Sequence, residues 1–145
     1  MISLGLNIGY VDAKTKVLDA LSTKSAYNKL LEFVKCQGGY ITKLPKSNII
    51  HEIKSDKEGY LASLSSLELA RLSMNLGAGR KTKEDKIDYS AGIIVNKKIN
   101  EKINIGDTIL TLYTNKELPE INKEQLFKVD NIPCKNYNLI YEIIK

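Results

Sequence analysis

The spacing of apolar and polar positions changes period along the chain. Val17, Leu18 and Leu21 fall at helical spacing after Asp12, a residue type suited to capping a helix. After Ser25, a second candidate cap, Tyr27, Leu30, Leu31 and Val34 repeat the pattern with Phe33 beside them, and Gly38-Gly39 ends the run. Two short antiparallel helices with their apolar stripes turned inward are the expected result. Leu44-Pro45-Lys46-Ser47-Asn48 then interrupts regular structure, because proline fixes φ and removes a backbone donor.

From Ile49 the period shortens to two. Ile49, His51 and Ile53 share one side of a predicted strand ending at Lys54, residues 56 to 59 turn, and Tyr60, Ala62 and Leu64 alternate in a second strand. The helical period returns at Ser65. Ser65 followed by Glu68 is a capping-box pattern in which each side chain satisfies a backbone N–H of the other. Leu69, Leu72, Ser73 and Leu76 give that helix one packing face, and Gly77 is placed to stop it in a left-handed conformation.

A charged loop leads to a predicted strand over residues 91–96. Ile99, Ile103 and Ile105 lie in a bend that closes at Gly106-Asp107, and Thr108 to Thr114 reads as another strand. Asn122 to Val129 reads as a weak helix and Tyr137 to Ile144 as a closing strand. The expected fold class is α+β: an N-terminal helical hairpin followed by a small β-sandwich, of barrel-sandwich or hammerhead type, with one capping helix.

The chain has 145 residues, 43% of them hydrophobic, enough for one domain with a real core and an added subdomain. No apolar run reaches the length of a membrane span. Met1 to Tyr10 is apolar but has neither a basic leader nor a small-residue cleavage site, so no signal peptide is expected and a cytoplasmic place is. The net charge is +5, yet Lys54, Asp56, Lys57 and Glu58, like Lys83, Glu84, Asp85 and Lys86, alternate in sign. Such mixing makes a solvated surface rather than a phosphate-tracking stripe, which argues against a nucleic-acid partner. Cys36 and Cys134 match no metal spacing and read as free thiols, Cys36 as a small core residue.

Four groups of residues invite a chemical reading. Gly77-Ala78-Gly79-Arg80-Lys81-Thr82 mixes glycine with basic side chains, but its glycines close a helix, where the dipole disfavours an anion. A mobile loop that touches another domain fits better. Glu84, Asp85 and Asp88 are set among lysines and read as a solvated loop, with Asp88 capping the turn into the next strand. His51, the single histidine, has no nucleophile or carboxylate at motif spacing and supports no triad. Asn96-Lys97-Lys98 reads as a polar turn with exposed lysines. No catalytic, cofactor-binding or metal-binding residue is expected.

The run Leu76-Gly77-Ala78-Gly79-Arg80-Lys81-Thr82-Lys83-Glu84-Asp85-Lys86-Ile87-Asp88, then Ala91-Gly92-Ile93, resembles the signature of the C-terminal domain of pyrimidine and thymidine nucleoside phosphorylases. Gln37-Gly38-Gly39, Glu58-Gly59-Tyr60, Lys97-Lys98, Gly106-Asp107 and Leu112-Tyr113-Thr114-Asn115 fall in the family's order around it, while Tyr40 stands where many members place an acid. Residues 98–110 also resemble the hammerhead turn of biotinyl and lipoyl carrier domains, although the usual flanks of a modified lysine are missing.

The phosphorylase resemblance implies that residues 1–44 belong to the large α/β domain of a parent enzyme and residues 45–145 form its C-terminal α+β domain. The implied parent reaction is phosphorolysis of pyrimidine nucleosides to free base and pentose 1-phosphate, with phosphate as co-substrate and no other cofactor. The family's phosphate- and base-binding segments lie upstream of this chain, so the resemblance implies a fragment inactive alone that supports domain closure. Gly77, Gly79, Arg80 and Lys81 become the candidate closure loop. The implied partner is the missing N-terminal portion; the family is homodimeric through a helical domain absent here, so a monomer is expected. The competing expectation is a free-standing carrier-like or binding β-sandwich module.

Overall fold

A computed structural model describes residues 1–135; the closing strand expected near the C-terminus lies outside them. The chain divides into two compact units, Met1–Leu44 and Pro45–Lys145.

The first unit is helical: α1 (Ile2–Leu6), α2 (Tyr10–Ser22) and α3 (Ser25–Cys36), followed by a single 3-10 turn at Ile41–Lys43. Neither expected cap forms. The α2 helix begins at Tyr10 behind Gly9, so Asp12 lies within the first turn, where its charge complements the helix N-terminus. The α3 helix begins at Ser25 itself, behind Lys24 in a left-handed conformation.

The inward stripes are also corrected. Val17, Leu18 and Leu21 are 42%, 54% and 63% exposed, and Tyr27, Leu30, Leu31 and Phe33 are exposed as well. Ala13 is the one buried residue of this unit. Three short helices have too little mutual surface to cover their apolar faces. Cys36, expected in a core, is exposed for the same reason.

The second unit is built from two three-stranded antiparallel sheets. In one, β1 (Ile49–Lys54) and β3 (Gly92–Val95) flank β5 (Thr108–Thr114); in the other, β4 (Lys102–Ile103) and β6 (Phe127–Asp130) flank β2 (Gly59–Leu64). No ladder joins the sheets, so no barrel closes among the described residues. The unit's longest helix among the described residues, α4 (Ser66–Ser73), widens into a π-type turn at Met74–Ala78. Leu72 and Leu76 from this helical segment pack with Ile53, Leu61, Ile103, Ile109, Leu110 and Leu112 of the strands in one apolar cluster.

Half of the predicted capping box forms. Ser65 Oγ accepts from the Glu68 N–H at 3.4 Å, but the Glu68 carboxylate turns to Arg71 at 2.6 Å. The Ser65 N–H donates instead to the Leu126 carbonyl at 2.9 Å. That carbonyl comes from α5 (Lys123–Leu126), one turn capped by Asn122 and followed directly by β6. The sequence expectation of a helix to Val129 missed this change.

The β2 strand also departs from simple alternation. Leu61, not Tyr60, Ala62 or Leu64, is its sealed core residue. Leu61 pairs with Val129 and Ser63 with Lys128, leaving Ala62 as an extra residue in the ladder. Past this bulge the facing of the side chains reverses, and Leu64 packs against the core cluster. Along β1 the predicted Ile49, His51, Ile53 face holds only at Ile53, which is buried, while Ile49 and His51 are exposed.

Candidate functional site

The chain between Leu76 and Ser90 is held at both ends by hydrogen bonds and exposes its middle. Gly77 takes φ 110°, a left-handed value that favours glycine, and its carbonyl accepts from the Asp88 N–H at 2.9 Å. A Cβ at Gly79 would lie 2.7 Å from the Met74 Cγ, so the chain passes close over the π-type turn. Of the candidate closure residues, Gly77 is buried, Gly79 half-buried, and Arg80 and Lys81 exposed.

The carboxylates of this loop serve its backbone. Asp85 Oδ2 accepts from the Lys81 and Thr82 N–H groups at 2.8 and 3.0 Å, and Oδ1 accepts from the Thr82 hydroxyl at 3.1 Å. The Thr82 and Lys81 N–H groups favour the charged carboxylate and hold its pKa below the ordinary carboxylate range. Asp88 Oδ1 accepts from the Ser90 hydroxyl at 2.7 Å and the Ser90 N–H at 2.9 Å, while Oδ2 accepts from Asn115 Nδ2 at 2.8 Å. The Ser90 hydroxyl is the leading cause of the lowered Asp88 pKa. Asp88 therefore caps the turn into β3, as its position suggests. Among the described residues no cluster of His, Cys, Asp or Glu is arranged to hold a metal.

Lys81, Lys86 and Lys116 line a shallow cleft of about 240 Å³ beside Asp85. It lies at the carbonyl end of the helical segment, where cations complement the dipole. His51 is exposed on β1. Lys97, one of the turn lysines, is partly covered and paired with Asp107 at 3.0 Å, so it is not a freely presented lysine tip. Asp107 also accepts from the Asn104 N–H at 3.1 Å; that bond, followed by the Lys97 ammonium, lowers its pKa.

Three side chains that matter here escaped the sequence reading as site residues. Asn115 bridges Asp88 and Ser90, and its Oδ1 accepts from the Asn48 N–H at 2.8 Å. Ser47 donates to the Ser90 carbonyl at 2.6 Å. The Asp88–Ser90 spacing is the local signal of an Asx turn, but Ser47 and Asn115 are remote in sequence and carry no such signal.

The fold and loop define a small α+β domain with an exposed, braced glycine-basic loop. Residues 60–129 match the family described as the Pyrimidine nucleoside phosphorylase C-terminal domain, and this part of the chain belongs to that family. It is 39% identical over 127 residues to a thymidine phosphorylase of Metamycoplasma hominis, covering 83% of this chain and 47% of that protein. It is 41% identical over 127 residues to a pyrimidine-nucleoside phosphorylase of Staphylococcus epidermidis, covering 83% of this chain and 28% of the relative. A pyrimidine-nucleoside phosphorylase of Staphylococcus aureus is 38% identical over 112 residues, 73% of this chain and 26% of its own length. The chain thus spans between about a quarter and a half of the length of these relatives.

Proposed function

We propose that this chain is the C-terminal, closure-supporting part of a pyrimidine-nucleoside phosphorylase and acts with a preceding portion that carries the substrate site. The match of residues 60–129 to the C-terminal domain family carries the reading. The parent reaction is phosphorolysis of a pyrimidine nucleoside to free base and pentose 1-phosphate. Phosphate is its co-substrate, bound outside this chain. Arg80 and Lys81, exposed on a loop braced at both ends, are the closure contacts. Alone the chain is inactive and monomeric, in the cytoplasm; no described helix is long and apolar enough to cross a membrane.

The helical unit supports the same reading. An alignment over 83% of the chain is longer than the unit from Pro45 onward, so it takes in part of the helices. Their exposed leucines and aromatics suit burial against further chain of the parent enzyme. The test is phosphate-dependent cleavage of uridine and thymidine by the chain alone, then with the N-terminal portion of a relative. Activity only on mixing is the expected result; turnover by the chain alone overturns the proposal.

A further inference from the structure

The stretch that enters the β unit and the glycine-basic loop are linked by one continuous run of hydrogen bonds. Ser47 Oγ donates to the Ser90 carbonyl at 2.6 Å and lies 3.1 Å from Ser90 Oγ. The Asn48 N–H donates to Asn115 Oδ1 at 2.8 Å. Asn115 Nδ2 donates onward to Asp88 Oδ2 at 2.8 Å and Ser90 Oγ at 2.9 Å. The Ser90 hydroxyl and N–H both donate to Asp88 Oδ1, and the Asp88 N–H closes the run on the Gly77 carbonyl at 2.9 Å.

Each member has a reason to be where it is. Ser47 and Asn48 follow Pro45, which offers no N–H of its own. Asn115 comes directly after the buried Thr114 at the end of β5, so its side chain is anchored to the middle strand of a sheet. An asparagine suits a bridge of this kind because its carbonyl and amide face two partners at once, receiving from the linker and donating to the loop. Asp88 spends both carboxylate oxygens on Ser90 and Asn115. It therefore cannot shift without breaking bonds to both.

From this arrangement we infer that Ser47, Ser90, Asn115 and Asp88 form a latch through which the conformation of the segment following Leu44 sets the conformation of the loop bearing Arg80 and Lys81. A displacement of residues 45–48 pulls on Ser90 and Asn115, loosens Asp88, and releases Gly77, which has the backbone freedom to turn. The latch extends the proposed closure role but does not depend on it, since it is a property of this chain alone.

The test is amide hydrogen exchange on the whole 145-residue chain, comparing Ser47→Ala and Asn115→Ala with the parent sequence. Ser47 is far from the loop in sequence and contacts only Ser90 in the run. A purely local role would speed exchange near residues 47, 48 and 90 alone. Coupling predicts that the Asp88, Lys81 and Thr82 amides exchange about fivefold faster in both variants, the factor expected from one net hydrogen bond. The β5 amides keep their parent rates. Unchanged Asp88 and Lys81 exchange in Ser47→Ala overturns the latch. Equal acceleration throughout β5 overturns it too, because that reports global loosening. Ser47→Ala removes one partly buried hydroxyl and carries the test by itself if Asn115→Ala does not fold. The outcome is independent of whether mixing with a relative's N-terminal portion restores turnover.

Discussion

Thr114 donates its hydroxyl hydrogen to the Leu76 carbonyl at 2.7 Å, and both residues are sealed from solvent. This bond fastens the C-terminal end of the α4 segment to β5, where the π-type turn leaves a carbonyl in need of a donor. The Thr114 oxygen also accepts from the Lys116 N–H at 3.0 Å. Thr114→Val keeps the shape but strands a buried carbonyl. It should cost about 1–3 kcal/mol, read as a lower urea midpoint, while Thr114→Ser, which keeps the hydroxyl, should avoid much of that loss.

The two units should differ in their sensitivity to loss of leucine. Leu61 has no exposed surface, and Leu61→Ala should cost about 2–5 kcal/mol in urea unfolding. Leu21 is 63% exposed, and Leu21→Ala should change the stability of this chain by no more than about 0.5 kcal/mol. Tight mixing with a relative's N-terminal portion should reveal a cost for Leu21→Ala that the chain alone does not show.

Acid should weaken the β unit through Asp85, Asp88 and Asp107. All three have folded pKa values held below the ordinary 3.8 by hydrogen bonds, from the Thr82 N–H, the Ser90 hydroxyl and the Asn104 N–H first. Below the unfolded pKa the unfolded chain binds more protons, so the stabilisation is present above that value and is lost as pH falls through the folded ones. Melting temperature should hold level from neutrality to about pH 5 and fall below about pH 4. Asp88→Asn should shallow that fall.

Among the glycines, Gly59 makes the tightest approach to another backbone segment. It has φ 146°, and a Cβ there would lie 2.4 Å from the Asp130 carbonyl oxygen on the paired strand. Gly59→Ala should destabilise by about 1–3 kcal/mol or more, with the loss of protection concentrated in β2 and β6 amides.

Arg80→Ala and Lys81→Ala test the proposed closure contacts. Neither should move the urea midpoint of the chain by more than about 0.5 kcal/mol, because both side chains are exposed. In the reconstituted phosphorolysis each should lower turnover about tenfold, the scale of one lost contact of 1.4 kcal/mol.

Much of the β unit was legible because its apolar spacing is set by local geometry. The helix after Ser65, the stop at Gly77 and the strand Thr108–Thr114 all match their signals. The misses have physical causes. Glu68 chose Arg71 over the Ser65 N–H because the Leu126 carbonyl had already taken that donor, a tertiary contact invisible to a four-residue pattern. Val17, Leu18 and Leu21 show helical spacing, but spacing does not reveal whether a stripe finds a cover within the chain. The candidate loop was visible through its glycines and basic residues. Its brace at Ser47 and Asn115 was not, since it depends on residues brought together only by the fold.

The extra residue in β2 works like a shift of reading frame. Before Ala62 the core is written on Leu61; after it, on Leu64, three positions on rather than two or four. Loss of Ala62 would leave the two leucines two positions apart, on one face of a plain alternation, and would remove the bulge. The length of this segment is therefore as informative as its composition. Sequences that share the fold should keep the bulge where three steps separate the two apolar positions and lose it where only two do.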